Sequence, residues 1–219
     1  MKAPWKTDAL ALAMIAAMFL LAAIVWQWVP SQIPVHWNWS GQPDRFGGRF
    51  EGLLHLPIAA AGIYALLRFL PRIDPRRRNY DAFAGPFAVI RTAVVGLLFG
   101  IDAVVLLWIR GEHTQLNALV AAEFGIALLV MGNYLPKVKS NWFVGVRTPW
   151  TLSSEASWRQ THRLAGWLFT VGGILTFVTA LVRPGLAQVV LIGTLAVAAG
   201  TSIVYSYFAW KGDPARQTT

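Results

Sequence analysis

The sequence predicts an all-α integral membrane protein of six transmembrane helices, with both termini in the cytoplasm. Three observations carry this. Of 219 residues, 56% are hydrophobic and only 13% are charged, where a soluble domain carries about 25% charged residues. Six apolar segments approach the roughly 20 residues that a helix needs to cross a bilayer. The basic residues gather in alternate connections, as the positive-inside rule requires.

The first segment, 8–29, follows Lys2 and Lys6 and ends near Trp26 and Trp28. A signal peptide has an apolar core of about 7–15 residues. This run is longer and leads to no obvious cleavage site, so it reads as an uncleaved span. The second segment, 53–70, is interrupted by His55, Pro57 and Arg68. A short interfacial helix is the alternative there, with Arg68 reaching the headgroups from the segment's end. Segments 87–109, 116–135, 164–182 and 187–209 complete the set. Long connections are expected at Pro30–Gly52 and Pro136–Arg163, a basic loop at 71–86, and tight turns near 110–115 and 183–185. The expected organisation is a two-helix region, 1–86, carrying the outer loop, followed by a four-helix region, 87–219, together forming one compact membrane domain.

The net charge is +9. With the N-terminus inside, fifteen of the nineteen Lys and Arg residues lie on the cytoplasmic side, and Arg45, Arg49, Arg110 and Arg183 lie outside. Topology therefore accounts for the basic excess, and no direct nucleic-acid contact is expected. Trp26, Trp28, Trp37, Trp39, Trp108, Trp142 and Trp210 fall near predicted interfaces, as an aromatic belt does. There is no cysteine, which excludes disulfides and thiolate metal sites.

The outer loop reads Ile33-Pro34-Val35-His36-Trp37-Asn38-Trp39-Ser40-Gly41-Gln42-Pro43-Asp44-Arg45-Phe46-Gly47. Ser40-Gly41 and Gln42-Pro43-Asp44 are turn chemistry. The candidate binding residues are His36, Trp37, Asn38 and Asp44. After the turn His36, Asn38 and Asp44 could converge, and His55 could approach from the next helix. His36, Asp44 and His55 are ordinary metal-ligand types, but their spacing is no recognised zinc pattern, and neither metal nor cofactor is expected. A cap that closes the bundle and a surface for an external peptide or lipid are the two other readings.

The inner loop runs from Gly132-Asn133-Tyr134-Leu135-Pro136-Lys137 through Asn141–Arg147 to Thr148-Pro149-Trp150-Thr151-Leu152-Ser153. Its candidate binding or structural residues are Asn133, Pro136, Lys137, Arg147, Thr148, Pro149, Trp150, Trp158, Arg159, His162 and Arg163. Ser153 reads as an N-cap with Glu155 in the first turn. Spacing of i,i+4 places Trp158 with His162 on one helix face and Glu155 with Arg159 as an ion pair on an adjacent stripe. This describes a short amphipathic helix lying on anionic headgroups. Within the spans, Asp102 and Glu123 are costly acids on neighbouring helices and suggest a polar pair or a proton relay. Gly96 and Gly100 offer a small-residue packing face on the third helix.

These inner-loop runs, with Trp158-Arg159-Gln160-Thr161-His162-Arg163, resemble the signature of the SdpI family of bacterial membrane proteins. The outer run Ile33–Asn38, with Gly41, Pro43 and Asp44, resembles the uncharacterised domain that commonly precedes it. The resemblance implies a multi-pass protein of the bacterial cytoplasmic membrane. From the family's namesake it also implies immunity to a secreted antimicrobial peptide, the sporulation-delaying toxin, and signalling by holding a transcriptional repressor at the membrane. The partners expected are thus the lipid bilayer, an extracellular toxin peptide and a cytoplasmic repressor protein. Two other readings stay open. One is a polytopic membrane enzyme using a His/Asp site at one face, although no nucleophile elbow, HExxH motif or phosphate-binding glycine loop supports it. The other is a proton-coupled transporter using Asp102 and Glu123.

Overall fold

The structure is a computed structural model that describes residues 5–112 and 115–216. Lys2, and the side chain of Lys6, lie outside the described residues. Long apolar stretches become helices because a bilayer leaves the backbone no other partner. Among the described residues, six helices are long and apolar enough to cross a membrane. They are α1 (Trp5–Val25), α2 (Arg49–Ile73), α3 (Ala84–Ile109), α4 (Leu116–Tyr134), α6 (Glu155–Val182) and α7 (Pro184–Lys211), with a one-turn helix α5 (Pro149–Ser153) before α6. Two short strands, β1 (Ile33–Trp37) and β2 (Pro43–Gly47), add a hairpin to the all-α frame.

The weakest predicted span is a full helix. α2 runs through Pro57 and Pro71 and begins at Arg49, directly after the hairpin. Pro57 is buried, where close neighbours hold the backbone in place. The interfacial alternative for this segment is not what forms.

The expected short amphipathic helix is corrected. Residue types and spacing alone place the N-cap at Ser153, with a separate helix on the headgroups. Instead Ser154 is the N-cap, its Oγ accepting from the Ser157 N–H at 2.9 Å, and the helix continues without a break to Val182. Trp158 and His162 are 1% and 0% exposed, so this face packs inward rather than onto lipid headgroups. Glu155 and Arg159 form no ion pair with one another. Arg159 instead contributes its charge to the surroundings of Asp213.

Helix crossing is set by small residues. On α4 and α6, Gly125 faces Gly173 and Gly132 faces Gly166. A Cβ added to Gly132 would lie 2.6 Å from the Gly166 carbonyl oxygen, and one added to Gly173 would lie 2.6 Å from that of Gly125. The two antiparallel helices therefore touch backbone to backbone, as small-residue interfaces in membranes allow. Gly96 and Gly100 do not form such a face: Gly96 only approaches the Met14 sulfur at 3.9 Å, and Gly100 seats the Glu123 side chain.

Side-chain bonds identify which helix ends lie together. Asp8 of α1 pairs with Arg91 of α3, and its other oxygen is 3.8 Å from Arg68 of α2. The loop after α2 bonds to the loop after α4 through Asp74 and Trp142. The start of α6 bonds to the end of α7 through Ser157 and Ser206. All these ends share the basic side of the bundle, and the positive-inside rule makes that side cytoplasmic. The expected boundary at 86/87 falls at the start of α3, which packs on α1 and α2 and also on α4.

Candidate functional site

Polar groups converge at both ends of the bundle. At the outer end the hairpin closes through an Asx turn. The Asn38 Oδ1 accepts from the backbone N–H groups of Ser40 at 2.9 Å and Gln42 at 3.0 Å. Gly41, at φ +75°, presses this turn against Asn117 of α4. The strands pair with register shifts around His36, and such irregularities re-aim side chains. The His36 Nδ1 lies 2.5 Å from the Asp44 Oδ1, while Asn38 is spent on the turn. Among the described residues, no three His, Cys, Asp or Glu side chains group as a metal site.

Beneath the hairpin lies a cavity of about 340 Å³, walled by α2, α3, α4 and α7. Its lining is mostly apolar, including Leu56, Val104, Val120 and Leu191, with His36, His55, Asn117 and Gln188 as the polar members. Trp37 also lines it, and its indole Nε1 is buried with no hydrogen-bond partner. Apolar walls with a few polar groups are the usual composition of a ligand pocket. His36, Trp37 and His55 thus share one cavity, whereas Asn38 and Asp44 belong to the cap above it. Sequence reasoning missed Asn117 and Gln188, since nothing in their local context separates them from ordinary span-end polar residues.

Deeper in the bundle, Asp102 is 5% exposed. Glu123 packs on Gly100, and its Oε2 is buried without a hydrogen-bond partner. No hydrogen bond joins the two acids, so the expected polar pair does not form.

At the inner end the basic loop and the 137–153 connection form one bonded platform. A 3₁₀ helix, Arg77–Phe83, packs Tyr80 and Phe83 with ring centroids 4.8 Å apart. Asp74, 2% exposed, accepts from the Tyr80 hydroxyl at 3.0 Å and the Trp142 N–H at 2.9 Å. The Asn141 Oδ1 accepts from the Phe143 and Val144 N–H groups. Arg76 donates to the Ser140 hydroxyl and the Leu152 carbonyl. These bonds return to Asp74, Tyr80 and Asn141 what they lost on leaving water.

His162 is the pivot of this platform. It stacks on Trp158 with centroids 4.0 Å apart. Its Nε2 accepts the Val146 N–H at 3.1 Å. The ring proton therefore sits on Nδ1 and is donated to the Trp158 carbonyl at 2.8 Å. Trp158 in turn donates its indole N–H to the Val138 carbonyl. Thr148 and Thr151 form a capping box for α5, and the Thr148 hydroxyl reaches Ser206 of α7 at 3.0 Å. Trp150 packs on Tyr207, Pro136 lies against Gly166, and Lys137 sits over the Tyr134 ring. Asn133, Pro149, Arg147, Arg159 and Arg163 are exposed, with Arg147 donating to the Trp142 carbonyl. The inner candidates thus divide into the buried Thr148, Trp158 and His162, which hold the platform, and exposed or half-buried residues around it. Asp74, Tyr80 and Asn141 were missed as site residues, because their contacts span more than sixty positions of sequence.

Among the described residues, six membrane-length helices, one basic end and two polar loop assemblies define a multi-pass membrane protein. Residues 137–206 match the SdpI/YfhL protein family and residues 13–61 match a domain of unknown function, DUF1648. The chain is 23% identical over 206 residues to the Immunity protein SdpI of Bacillus subtilis (strain 168), covering 94% of this chain and 97% of that protein. No solved structure matches it.

Proposed function

We propose that this protein is a membrane immunity or receptor protein that gives resistance to a secreted antimicrobial peptide met at its outer face. The observation that carries the reading is the cavity of about 340 Å³ under the β-hairpin, mostly apolar in its lining with His36, His55, Asn117 and Gln188 as its polar members. An apolar peptide side chain fits such walls, and the Asn117 and Gln188 amides would offer hydrogen bonds to its backbone. Similarity along nearly the whole length of a protein named for immunity supports the same role. The inner platform, with Arg147, Arg159 and Arg163 exposed around it, would then meet a cytoplasmic repressor. Coupling between the faces needs two conformations that the peptide distinguishes. The test is survival of a toxin-sensitive host expressing the chain and challenged with the peptide toxin. Increased survival at confirmed expression is expected, and unchanged survival counts against the reading.

A second reading rests on the Glu123 Oε2, buried without a partner. It makes the protein a proton-coupled carrier. Glu123→Gln would then abolish protection while leaving folding intact.

A further inference from the structure

The exposed arginines of the inner end are not evenly spread. Arg68 and Arg72 on the last turns of α2, with Arg77 and Arg78 on the following 3₁₀ helix, surround a cleft of about 450 Å³ that also touches Pro71 and Asp81. Four guanidinium groups thus face a single carboxylate. Arg72, Arg77 and Arg78 are exposed and take part in none of the described ion pairs. Arg68 reaches Asp8 only through its Nε, at 3.8 Å. Like charges held this close repel one another, and an anion in the cleft would relieve that repulsion.

The favourable interaction of cations with a helix C-terminus accounts for basic residues in the last turn of α2. It does not account for Arg77 and Arg78, which come from a different helix and turn to the same cleft. The surroundings specify the anion. The cleft opens where α2 leaves the bilayer. On the adjacent stripe of α2, Leu66, Phe69 and Ile73 are 54%, 47% and 52% exposed. Their i, i+3, i+7 spacing makes one continuous apolar strip. A ligand lying here meets guanidinium groups at one end and acyl-facing side chains along the other. Basic pockets at the cytoplasmic ends of membrane helices suit such headgroups, and arginine binds phosphate oxygens in bidentate fashion.

We propose that this cleft is a binding site for an anionic phospholipid, with the phosphate held among Arg68, Arg72, Arg77 and Arg78 and the acyl chains along Leu66, Phe69 and Ile73. The site is independent of the outer cavity and of any toxin.

The full chain would be reconstituted in phosphatidylcholine bilayer discs with and without phosphatidylglycerol, and lipid retention measured by native mass spectrometry after detergent extraction. Retention of phosphatidylglycerol over phosphatidylcholine is expected for the wild type. The triple variant R72Q/R77Q/R78Q should lose it by on the order of a hundredfold, at about fivefold per arginine. R159Q/R163Q removes two exposed arginines elsewhere at the same membrane end and should retain the lipid as the wild type does. Monodisperse elution of each variant checks folding, and R77Q/R78Q alone provides a milder second case. Equal loss in the R159Q/R163Q control, or full retention in the triple variant, would overturn the site. Displacement of the lipid by millimolar inorganic phosphate would overturn the lipid assignment.

Discussion

The Nε2 of His162 accepts the backbone N–H of Val146 at 3.1 Å, across sixteen residues of sequence. This bond ties the inner connection to the first turns of α6. Gly145, at φ +114°, makes it geometrically allowed, since a Cβ there would stand 2.1 Å from the same nitrogen. The pair explains why a glycine, the connection that carries it and a buried histidine belong together.

Replacing Gly145 with Ala should therefore destabilise the protein twice over, through the left-handed backbone and through collision with His162. His162→Ala should cost about 2–4 kcal/mol, combining a lost buried side chain with an unsatisfied N–H at Val146. Thermal denaturation of the purified protein in detergent would report both. The double variant should cost less than the sum of the two, because the sites are in contact.

Asp8 and Arg91 form the second lock. Arg91 is 1% exposed, pairs with Asp8 and lies over the Tyr64 and Phe87 rings. Breaking a buried pair strands a charge, so Arg91→Ala should cost about 3–5 kcal/mol. Replacing both partners, as Asp8→Asn with Arg91→Met, should cost less than Arg91→Ala alone. A thermodynamic cycle on the purified variants would check this, and additive losses would contradict the pairing.

The Ser154 hydroxyl donates to Asp213 at 2.5 Å, and this bond is the leading cause that holds the Asp213 carboxyl below its ordinary value. A lowered folded value means that the ionised form is favoured on folding. The contribution is fully present above the unfolded value, about pH 4, and is lost as pH falls through the lower folded value. Wild type and Asp213→Asn should therefore differ in melting temperature near neutrality and converge in strong acid. A constant difference down to low pH would remove this link between α6 and the residues after α7.

The α4–α6 crossing should be intolerant of bulk. Gly132→Leu and Gly166→Leu should each prevent the backbones from meeting and abolish folded yield, whereas Gly96→Leu, with only the Met14 sulfur near, should be tolerated. Fluorescence-detected elution of tagged variants would separate the cases.

Much of this architecture is legible from apolar run length and charge placement alone, because lipid leaves helices as the only open-ended way to satisfy the backbone. The six spans and the basic end follow directly. The hairpin was hidden because its strands are five residues long and set by an Asx turn. The start of α6 was misread because Trp158 and His162 on one face look like an amphipathic surface until the partners Val138 and Val146 are known. The glycine pairs of α4 and α6 were equally invisible, since their meaning depends on which helices cross. The outer motif did lead to the cavity through His36, Trp37 and His55, but Asn117 and Gln188 come from distant spans.

Protection through the outer cavity is the central claim, and filling that cavity tests it most directly. Val120 lines it, while Leu119 beside it on α4 is 42% exposed and faces away. Survival under peptide challenge would be measured for cells expressing wild type, Val120→Trp and Leu119→Trp at matched membrane levels. The account predicts that Val120→Trp loses protection while Leu119→Trp keeps it. Full protection by Val120→Trp would contradict it.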